Sequence, residues 1–540
     1  MSVVLRPPFH SSFTIHLTRR ASESLALFLL FFSLAMVGWN GTLHSSDGLA
    51  LYAVSDALAR YGRFDIESIR WINLQQGTFG PDGLLYSRKG LATSVLALPL
   101  TWLGLTLPKI GPLHTALLLT PLLHALTALY LYHTVRRAVP ASGRRRAMLI
   151  ALLWALGSMA LPYIKTFHNE PAVALALIAA LFHLLIFRDT GSITAAAAVG
   201  GWLGLSLLAR AANAVVFPLY GFALLAYTHT PHPTRSGQPQ GIVPIPSTPL
   251  PSPLSTRLWS RVTGRLFSRP VWAPTMAFAA PILLAGILYL WYNWYRFGNP
   301  LDSGYIAGED FSAIWWQGIL GLTVSPGRGL LWYTPWLPFA LVGARRLWRR
   351  DPVIPLLVLG SALLYVLLYG KWYLWSGGFA WGPRFLVPLL PLLAFLVAPL
   401  LIRPGRSGRS GKSLLWATAL LGVLINLVGV LWDFDPHQQA LIASGLPLFA
   451  PETFFQLRFA QIPGVLRLGL QSPGAIDLAW SVGGYIDWPV LILTLLLVMT
   501  GVLVGGRVWR GQKPQGRLLA GTVVLLITLW LLLARLHAIE

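Results

Sequence analysis

The sequence contains no cysteine and very little charge. Only 11% of its 540 residues are Asp, Glu, Lys or Arg, whereas an average soluble domain has about 25%. The absence of cysteine excludes disulfides, thiolate metal sites and a cysteine nucleophile. The shortage of charge indicates that much of the chain faces a medium in which charged groups are costly.

Long apolar runs take the place of the missing charge. Hydrophobic residues make up 55% of the chain and the mean hydropathy is +0.62. Because about 20 apolar residues span the hydrocarbon of a bilayer, the runs predict an all-α integral membrane protein with about 13 transmembrane helices. The first run follows two arginines without a small-x-small cleavage site, so we interpret it as an uncleaved anchor. Spans are predicted near residues 22–39, 112–134, 147–163, 170–187, 192–209, 213–228, 272–295, 329–343, 352–369, 384–402, 413–432, 488–505 and 518–534.

The basic residues orient these spans. With a cytoplasmic N-terminus, the inner segments hold 26 of the 41 Lys and Arg residues and three of the 18 acids. The outer segments hold the other 15 basic residues and 15 acids, so the net charge of +23 lies on one side, as the positive-inside rule requires. The charge therefore indicates a multi-pass protein of the cell membrane and no nucleic-acid partner. We interpret the apolar stretch 91–107 as an interfacial helix, because a further span there would place the arginines of 136–146 outside.

Three outer segments are long, at 40–111, 297–328 and 433–487. The inner segment 229–270 is rich in Pro and Ser, a composition typical of a flexible linker. We divide the chain into a membrane core, 1–402, and a C-terminal membrane region, 403–540.

The first outer segment carries the first candidate site. His44 to Gly48 reads HSSDG and precedes 49–61, where apolar residues have helical spacing. Asp47 is a candidate general base toward an acceptor hydroxyl, or alternatively the N-cap of this helix. Arg88 and Lys89 are candidates to bind a phosphate group, or alternatively lipid headgroups.

The connection 165–171, between the third and fourth spans, carries a second outer acid. Glu170 precedes Pro171, so it is expected at a helix start, where an acid complements the dipole. Alternatively, Glu170 and His168 assist Asp47 as a second carboxylate, a substrate contact or ligands of a divalent metal, although no ligand spacing is diagnostic. In the last outer loop, Asp433, Asp435 and His437 are interpreted as a solvated turn in preference to a metal site.

The segment 371–384 joins aromatic rings to glycines and an arginine. Trp375 and Trp381 are candidates to stack on a sugar or acceptor, and Arg384 is a candidate to stabilise a departing phosphate. The alternative is an aromatic belt with a snorkelling arginine.

Taken in order, these features resemble the membrane glycosyltransferases of the C superfamily, which include protein O-mannosyltransferases and lipid A aminoarabinose transferases. The resemblance lies in an acid after the first span (Asp47), the segment Tyr86–Gly90 before an apolar stretch, the outer acid Glu170, the segment Trp375–Arg384 and the many spans. It covers roughly the first 400 residues. The Asp-Glu pair of the mannosyltransferases reads Asp47-Gly48 here, which favours a broad bacterial branch over either named group.

The resemblance implies a sugar donor linked to polyprenyl phosphate, used at the extracytoplasmic face with inversion at the anomeric carbon. Asp47 would deprotonate the acceptor, and Arg88, Lys89 and Arg384 would neutralise the departing lipid phosphate. A lipid or glycan transporter, or flippase, is the alternative. It predicts polar residues deep in several spans and repeat symmetry, of which the sequence shows little. A scaffold that binds partners through the Pro-rich linker would leave the outer acids and aromatics unexplained.

Overall fold

The computed structural model describes residues 18–107, 111–228, 271–402, 408–472, 474–482 and 484–536. The predicted linker 229–270 lies outside the described residues. Helices dominate, and the strands within the described ranges form two small hairpins. The α-helices are α1 Arg19–Met36, α2 Ser46–Tyr61, α3 Ala92–Thr106, α4 Pro112–Ala116, α5 Leu119–Ala138, α6 Gly143–Gly157, α7 Glu170–Thr190, α8 Ile193–Ala209, α9 Phe217–Thr228, α10 Trp272–Phe297, α11 Trp315–Thr323, α12 Leu330–Tyr333, α13 Pro338–Trp348, α14 Val353–Lys371, α15 Leu390–Val397, α16 Gly408–Leu431, α17 Asp435–Ala443, α18 Pro451–Phe455, α19 Gln461–Gln471, α20 Trp488–Trp509 and α21 Gly516–Leu536.

Short 3₁₀ helices and strands complete the chain. The strands β1 Gly77–Phe79 and β2 Leu85–Ser87 pair antiparallel, as do β3 Ser481–Val482 and β4 Tyr485–Ile486. The 3₁₀ helices are Glu67–Gln75, Pro140–Ser142, Pro162–Lys165, Ala211–Val216, Arg384–Leu389, Ala398–Leu401 and Leu457–Phe459.

The apolar runs form helices at each predicted span, and nine helices of the described chain are long and apolar enough to cross a membrane. The protein is thus an all-α, multi-pass membrane protein. The count of 13 and the cytoplasmic N-terminus stay predictions. The predicted span 329–343 is divided between α12 and α13 with Pro335 between them, because proline removes a backbone donor and interrupts a helix.

Two segments form the centre of the bundle. In their most apolar 18 residues, 94% of Arg384–Leu401 and 83% of α7 are buried, against 6% of α10. Helix α7 packs between α5 and α8, and α8 packs in turn on α10. Glu170 and Arg384 are the first residues of the two central segments. Their side chains approach each other, so both segments begin at the same end of the bundle, which we call the cleft end.

The first outer segment folds over the cleft end. The predicted amphipathic helix is confirmed as α2, with Leu51 and Val54 buried. Helix α3, predicted as interfacial, packs along α2, where Ser94 Oγ donates to the Leu51 carbonyl at 2.7 Å. Its position relative to the bilayer surface stays a prediction.

Candidate functional site

Asp47 lies in the first turn of α2 and points into the cleft end. The capping residue is Ser45, whose Oγ accepts a hydrogen bond from the Gly48 amide at 3.0 Å. The alternative interpretation of Asp47 as the N-cap is therefore wrong: Ser45 satisfies the helix start, and the Asp47 carboxylate is left for other contacts.

Two cations hold the Asp47 carboxylate. Lys89 Nζ lies 2.9 Å from Asp47 Oδ1, and Arg384 Nη1 lies 2.9 Å from Asp47 Oδ2. Lys89 comes from the loop after β2, whereas Arg384 begins a central segment of the bundle. Residues about 40 and 340 positions away from Asp47 thus meet it at one point. The structure brings together three groups that the sequence analysis placed in one site.

Glu170 faces two arginines beside this point. Arg210 Nη2 lies 3.3 Å from Glu170 Oε1, and Arg384 Nε lies 3.9 Å from the same oxygen. Both Glu170 Oε1 and Arg384 Nε are buried, yet neither makes a hydrogen bond to a described residue. Buried polar atoms without a hydrogen bond are rare. The predicted helix start at Glu170 is confirmed.

The charges around Asp47 keep it ionised. Burial alone would raise the pKa of Asp47, but the Lys89 ammonium and the Arg384 guanidinium outweigh it and hold that pKa well below its usual range. His168 is buried nearby, and burial lowers the pKa of its imidazole to about 4 despite the neighbouring Glu170. At neutral pH the site therefore combines ionised Asp47 with a neutral imidazole.

These groups border a cleft of about 640 Å³, a size suited to a small ligand. Asp47, Lys89, Arg210 and Arg384 line it, while Glu170 and His168 lie just behind its wall. Aromatic rings line much of the rest of the cleft. The lining rings are those of Tyr289, Tyr305, Phe311, Tyr369, Trp372, Tyr373, Phe379, Phe385 and Phe449.

Phe385 organises the two arginines of the cleft. Its ring stacks on Tyr369 at 4.4 Å between centroids. The Arg210 and Arg384 guanidiniums lie 4.8 and 5.2 Å from the Phe385 ring, within cation–π range. The Phe385 ring thus helps to hold both cations where they face Glu170.

Arg88 lines the cleft, but other groups hold its guanidinium. It pairs with Glu309, and it also donates to the carbonyls of Leu74 and Gly77. Arg296 donates to the carbonyls of Ser87 and Lys89 from the other side. Both arginines therefore fix the loop that presents Lys89, and the phosphate-binding role of Arg88 stays a prediction.

Trp375 and Trp381 do not line this cleft. Trp375 is buried and packs edge-to-face on Phe454, with ring centroids 4.9 Å apart. Trp381 is buried as well, and its Nε1 donates to Asn426 Oδ1 at 3.1 Å. Their predicted sugar-stacking role stays a prediction, while Trp372, Tyr373 and Phe379 of the same segment are the rings that face the cavity.

The glycine pair of this segment lies beside the side chain of Arg384. Gly377 and Gly378 have φ of +83° and +69°, a region that favours glycine. A Cβ on Gly377 would lie 2.8 Å from Arg384 Cγ, whereas a Cβ on Gly378 would lie no closer than 3.3 Å to its nearest neighbour, Leu374. Gly377 therefore leaves room for the arginine stem. Arg384 is buried and does not snorkel, so the belt interpretation is wrong for this residue.

A second charged cluster lies behind the cleft and ties the last outer loop to the first. His44 Nε2 lies 3.1 Å from Asp477 Oδ2, His44 Nδ1 lies 3.6 Å from Asp433 Oδ2, and Lys165 Nζ lies 2.6 Å from Asp477 Oδ2. We call His44, Lys165, Asp433 and Asp477 the loop clasp. The predicted solvated turn is only partly correct, because His437 is buried.

A divalent metal, which the sequence left open as an alternative, has no ready set of ligands among the described residues. Within the described ranges, no group of three or more His, Asp or Glu residues is arranged to hold a metal ion. The carboxylates of Asp47, Glu170 and Asp477 are each paired with a lysine or an arginine. We therefore derive no step through a metal.

Arg210 is a charged cleft residue that was not among the candidates predicted from the sequence. It stands alone among apolar residues, between Ala209 and Ala211, in the short connection between two predicted spans. Asp47 and Lys89 likewise lie in a predicted outer connection. A charged residue in the shortest outer connection was therefore the available signal.

Comparisons with known proteins gave structural neighbours only. No family model and no curated protein matches the sequence. The lipid A aminoarabinose transferase ArnT from Cupriavidus metallidurans, solved with undecaprenyl phosphate, is 15% identical over 95% of this chain and 76% of its own, with a TM-score of 0.44. The archaeal oligosaccharyltransferase AglB from Archaeoglobus fulgidus, solved with an inhibitory peptide and a dolichol-phosphate, is 12% identical over 80% of this chain and 60% of its own, with a TM-score of 0.44.

Both neighbours are glycosyltransferases of the C superfamily, the group that the sequence resembles. This chain covers less than two thirds of AglB. TM-scores of this size do not establish a common fold, so the function of this chain has to be sought in the chemistry of its own cleft.

Proposed function

We propose that the protein transfers a sugar from a polyprenyl-phosphate donor to an acceptor hydroxyl at the extracytoplasmic face of the membrane, with inversion at the anomeric carbon. The observation that carries this proposal is the meeting of two carboxylates, Asp47 and Glu170, with three cations, Lys89, Arg210 and Arg384, in one cleft. Undecaprenyl phosphate and dolichol-phosphate, the lipid phosphates solved with the two neighbours, belong to the class of lipid that such a donor would release.

The charge balance of the cleft suits a phosphate. Three cations face two carboxylates, so the group retains one positive charge, and its two arginines can form paired hydrogen bonds to phosphate oxygens. A phosphate bound to Lys89 and Arg384 would compete with Asp47 for both cations. Donor binding would then release the Asp47 carboxylate toward the acceptor, and the pKa of Asp47 would move back up toward its usual range.

The transfer step follows once the donor phosphate has replaced Asp47 as the partner of Lys89 and Arg384. The acceptor oxygen forms a bond to the anomeric carbon from the face opposite the phosphate, while the bond from that carbon to the phosphate oxygen breaks. The acceptor proton goes to Asp47, and the electron pair leaves with the polyprenyl phosphate. Lys89, Arg210 and Arg384 stabilise the charge that develops on the leaving group. Trp372, Tyr373 and Phe379 offer ring faces to the sugar or the lipid.

Substitution of Asp47 by Asn tests the proposal. The assay uses membranes containing the protein and a panel of labelled polyprenyl-phosphate sugars, with the released polyprenyl phosphate as the readout. We expect the substitution to lower the rate about 10²- to 10⁴-fold, since Asn cannot accept the proton. Asp56→Asn is the matched control, because Asp56 lies on the same helix and pairs with Arg60 at 2.9 Å.

Two outcomes would contradict the proposal. Full transfer by the Asp47→Asn protein would exclude Asp47 as the base. No transfer by the parent with any donor of the panel, together with movement of a labelled lipid between leaflets, would favour the transporter alternative.

A further inference from the structure

The end of the bundle opposite the cleft carries arginines that the proposed reaction does not use. Helix α7 links the two ends, since Glu170 begins it in the cleft and Asp189 lies in its last turn, about 30 Å away at 1.5 Å per residue. Asp189 Oδ2 lies 2.8 Å from Arg137 Nε. The arginines around Arg137 are thereby placed at the far end, which we call the basic end.

Two adjoining cavities open at the basic end. Their volumes are about 450 and 440 Å³, and they share Arg136 and Arg144. Among the acids of the described ranges, Glu23 alone lines either of them. The arginines that line one or both are Arg20, Arg136, Arg137, Arg144, Arg145, Arg146 and Arg510.

Much of this positive charge has no protein partner. Glu23 is paired with Arg144 at 3.0 Å. In contrast, the guanidinium groups of Arg20, Arg136 and Arg510 make no ion pair or hydrogen bond within the described part of the chain. Guanidinium groups so close together repel one another, so the cavities favour an anion that would sit among them.

The surroundings of the cavities indicate which anion. They lie where α5 ends, where α6 and α1 begin and where α20 ends, so their rim belongs to membrane helices. Trp509 and Phe182 add apolar surface, and Arg145 is held over the Trp509 ring at 5.9 Å. The planar guanidinium group of arginine binds phosphate through paired hydrogen bonds. Basic pockets between membrane helices bind anionic lipid headgroups. A ligand with a phosphate and an attached apolar part matches both features.

We propose that these cavities bind the phosphate headgroup of an anionic phospholipid, with Arg136 shared between the two cavities and Arg510 at their exposed margin. The site is independent of the cleft and of the transfer reaction. It assigns a ligand to arginines that would otherwise serve only to orient the chain in the membrane.

The experiment measures lipid retention by the full-length protein. The protein is incorporated into nanodiscs of equal parts phosphatidylglycerol and phosphatidylcholine, extracted into detergent, and its retained lipids are identified by native mass spectrometry. We expect phosphatidylglycerol to be enriched on the parent. In R136Q/R510Q the enrichment should fall about 25-fold, roughly fivefold for each arginine removed.

The control is R349Q/R350Q, which removes two exposed arginines next to Asp351. Asp351 pairs with Arg188 at 3.2 Å, so these arginines belong to the same end but do not line the cavities. Unchanged enrichment in this control supports the site. An equal loss in both variants would show that general surface charge attracts the lipid and would overturn the proposal.

Two further arms complete the test. R136K/R510K keeps the charge that orients the chain but lacks the guanidinium groups, so enrichment that falls there and falls further in R136Q/R510Q supports recognition by the cavities. Unchanged enrichment in R136Q/R510Q would overturn it. Release of the lipid from the parent by millimolar inorganic phosphate would identify a soluble anion as the ligand and would overturn the assignment to a phospholipid.

Discussion

Four arginines near the cleft fall into two groups that differ in what faces each guanidinium. Arg210 and Arg384 face carboxylates across short gaps, and Arg384 Nε lacks a hydrogen bond to any described residue. Arg296 and Arg328 face backbone carbonyls instead. Arg328 donates to the carbonyls of Ala380, Gly382 and Gly378, and it makes no ion pair with a carboxylate of the described residues.

This difference separates structural from chemical roles. An arginine bound to several carbonyls is fully occupied, and it can only hold the segments that carry those carbonyls. An arginine facing an ionised carboxylate can exchange that partner for a phosphate, because both are anions of similar geometry. Arg328 therefore holds the segment leading to Arg384, while Arg384 itself remains available to a ligand.

Among the arginines, the largest effect is expected when Arg384 is replaced by Ala. If it stabilises the departing phosphate, turnover should fall about 10²- to 10³-fold, with KM for the donor changed far less. Steady-state transfer assays with a polyprenyl-phosphate sugar measure both constants. Arg458→Ala, which removes an exposed arginine, is the control. An equal loss in kcat and in donor affinity would mean that Arg384 only positions the donor.

Replacement of Arg328 by Gln should act on stability instead. The change leaves three carbonyl contacts of a buried group unmet, at an expected cost of about 3 kcal/mol of unfolding free energy. Thermal unfolding in detergent should show a lower Tm, and the transfer rate per folded molecule should change less than in Arg384→Ala. A loss of turnover at unchanged Tm would show that Arg328 acts in the reaction, and it would contradict the division of the arginines into structural and chemical groups.

Individual segments of the chain were more predictable than the contacts between them. Apolar runs located the helices, and Pro171 located the start of α7, because these features act within a few residues. Asp47, Lys89 and Arg384 were recognised as candidates from local context. Their pairing depends on contacts between residues that lie hundreds of positions apart in the sequence. The sequence also offered no signal that would have placed Trp372 in the cleft and Trp375 in the core. Arg88 and Lys89 are adjacent and looked equivalent, yet successive side chains point in different directions.

A smaller effect on transfer is expected from substitution of the two glycines, Gly377 and Gly378. Gly377→Ala and Gly378→Ala impose a similar backbone strain, since both residues have positive φ. Only the first crowds Arg384, with 2.8 Å between the new Cβ and Arg384 Cγ. We expect Gly377→Ala to lower transfer about tenfold more than Gly378→Ala, because small displacements of catalytic groups are costly. Equal rates in the two variants would show that Arg384 tolerates displacement.

The smallest expected effect concerns a group whose charge depends on pH, His44 of the loop clasp. Burial lowers the pKa of His44, but the hydrogen bond to Asp477 and the charges of Asp477 and Asp433 raise it more, despite nearby Lys165, so the net pKa is above 6.5. The same contacts with His44 and Lys165 lower the pKa of Asp477 despite its burial. Because the pKa of His44 is raised in the folded state, its charged contacts stabilise the fold fully below pH 6.5. This stabilisation is lost as the pH rises through the folded-state pKa.

We therefore expect the loop 433–487 to exchange its amide hydrogens more readily at pH 8.5 than at pH 6, after correction for intrinsic rates. A loss of about 1 kcal/mol from one partly buried charged hydrogen bond corresponds to about fivefold in exchange. His44→Asn should remove this pH dependence. The control is His114→Asn, since His114 lies in α4 and does not belong to the clasp. If the pH dependence persisted in His44→Asn, a group other than His44 would have to be responsible for it.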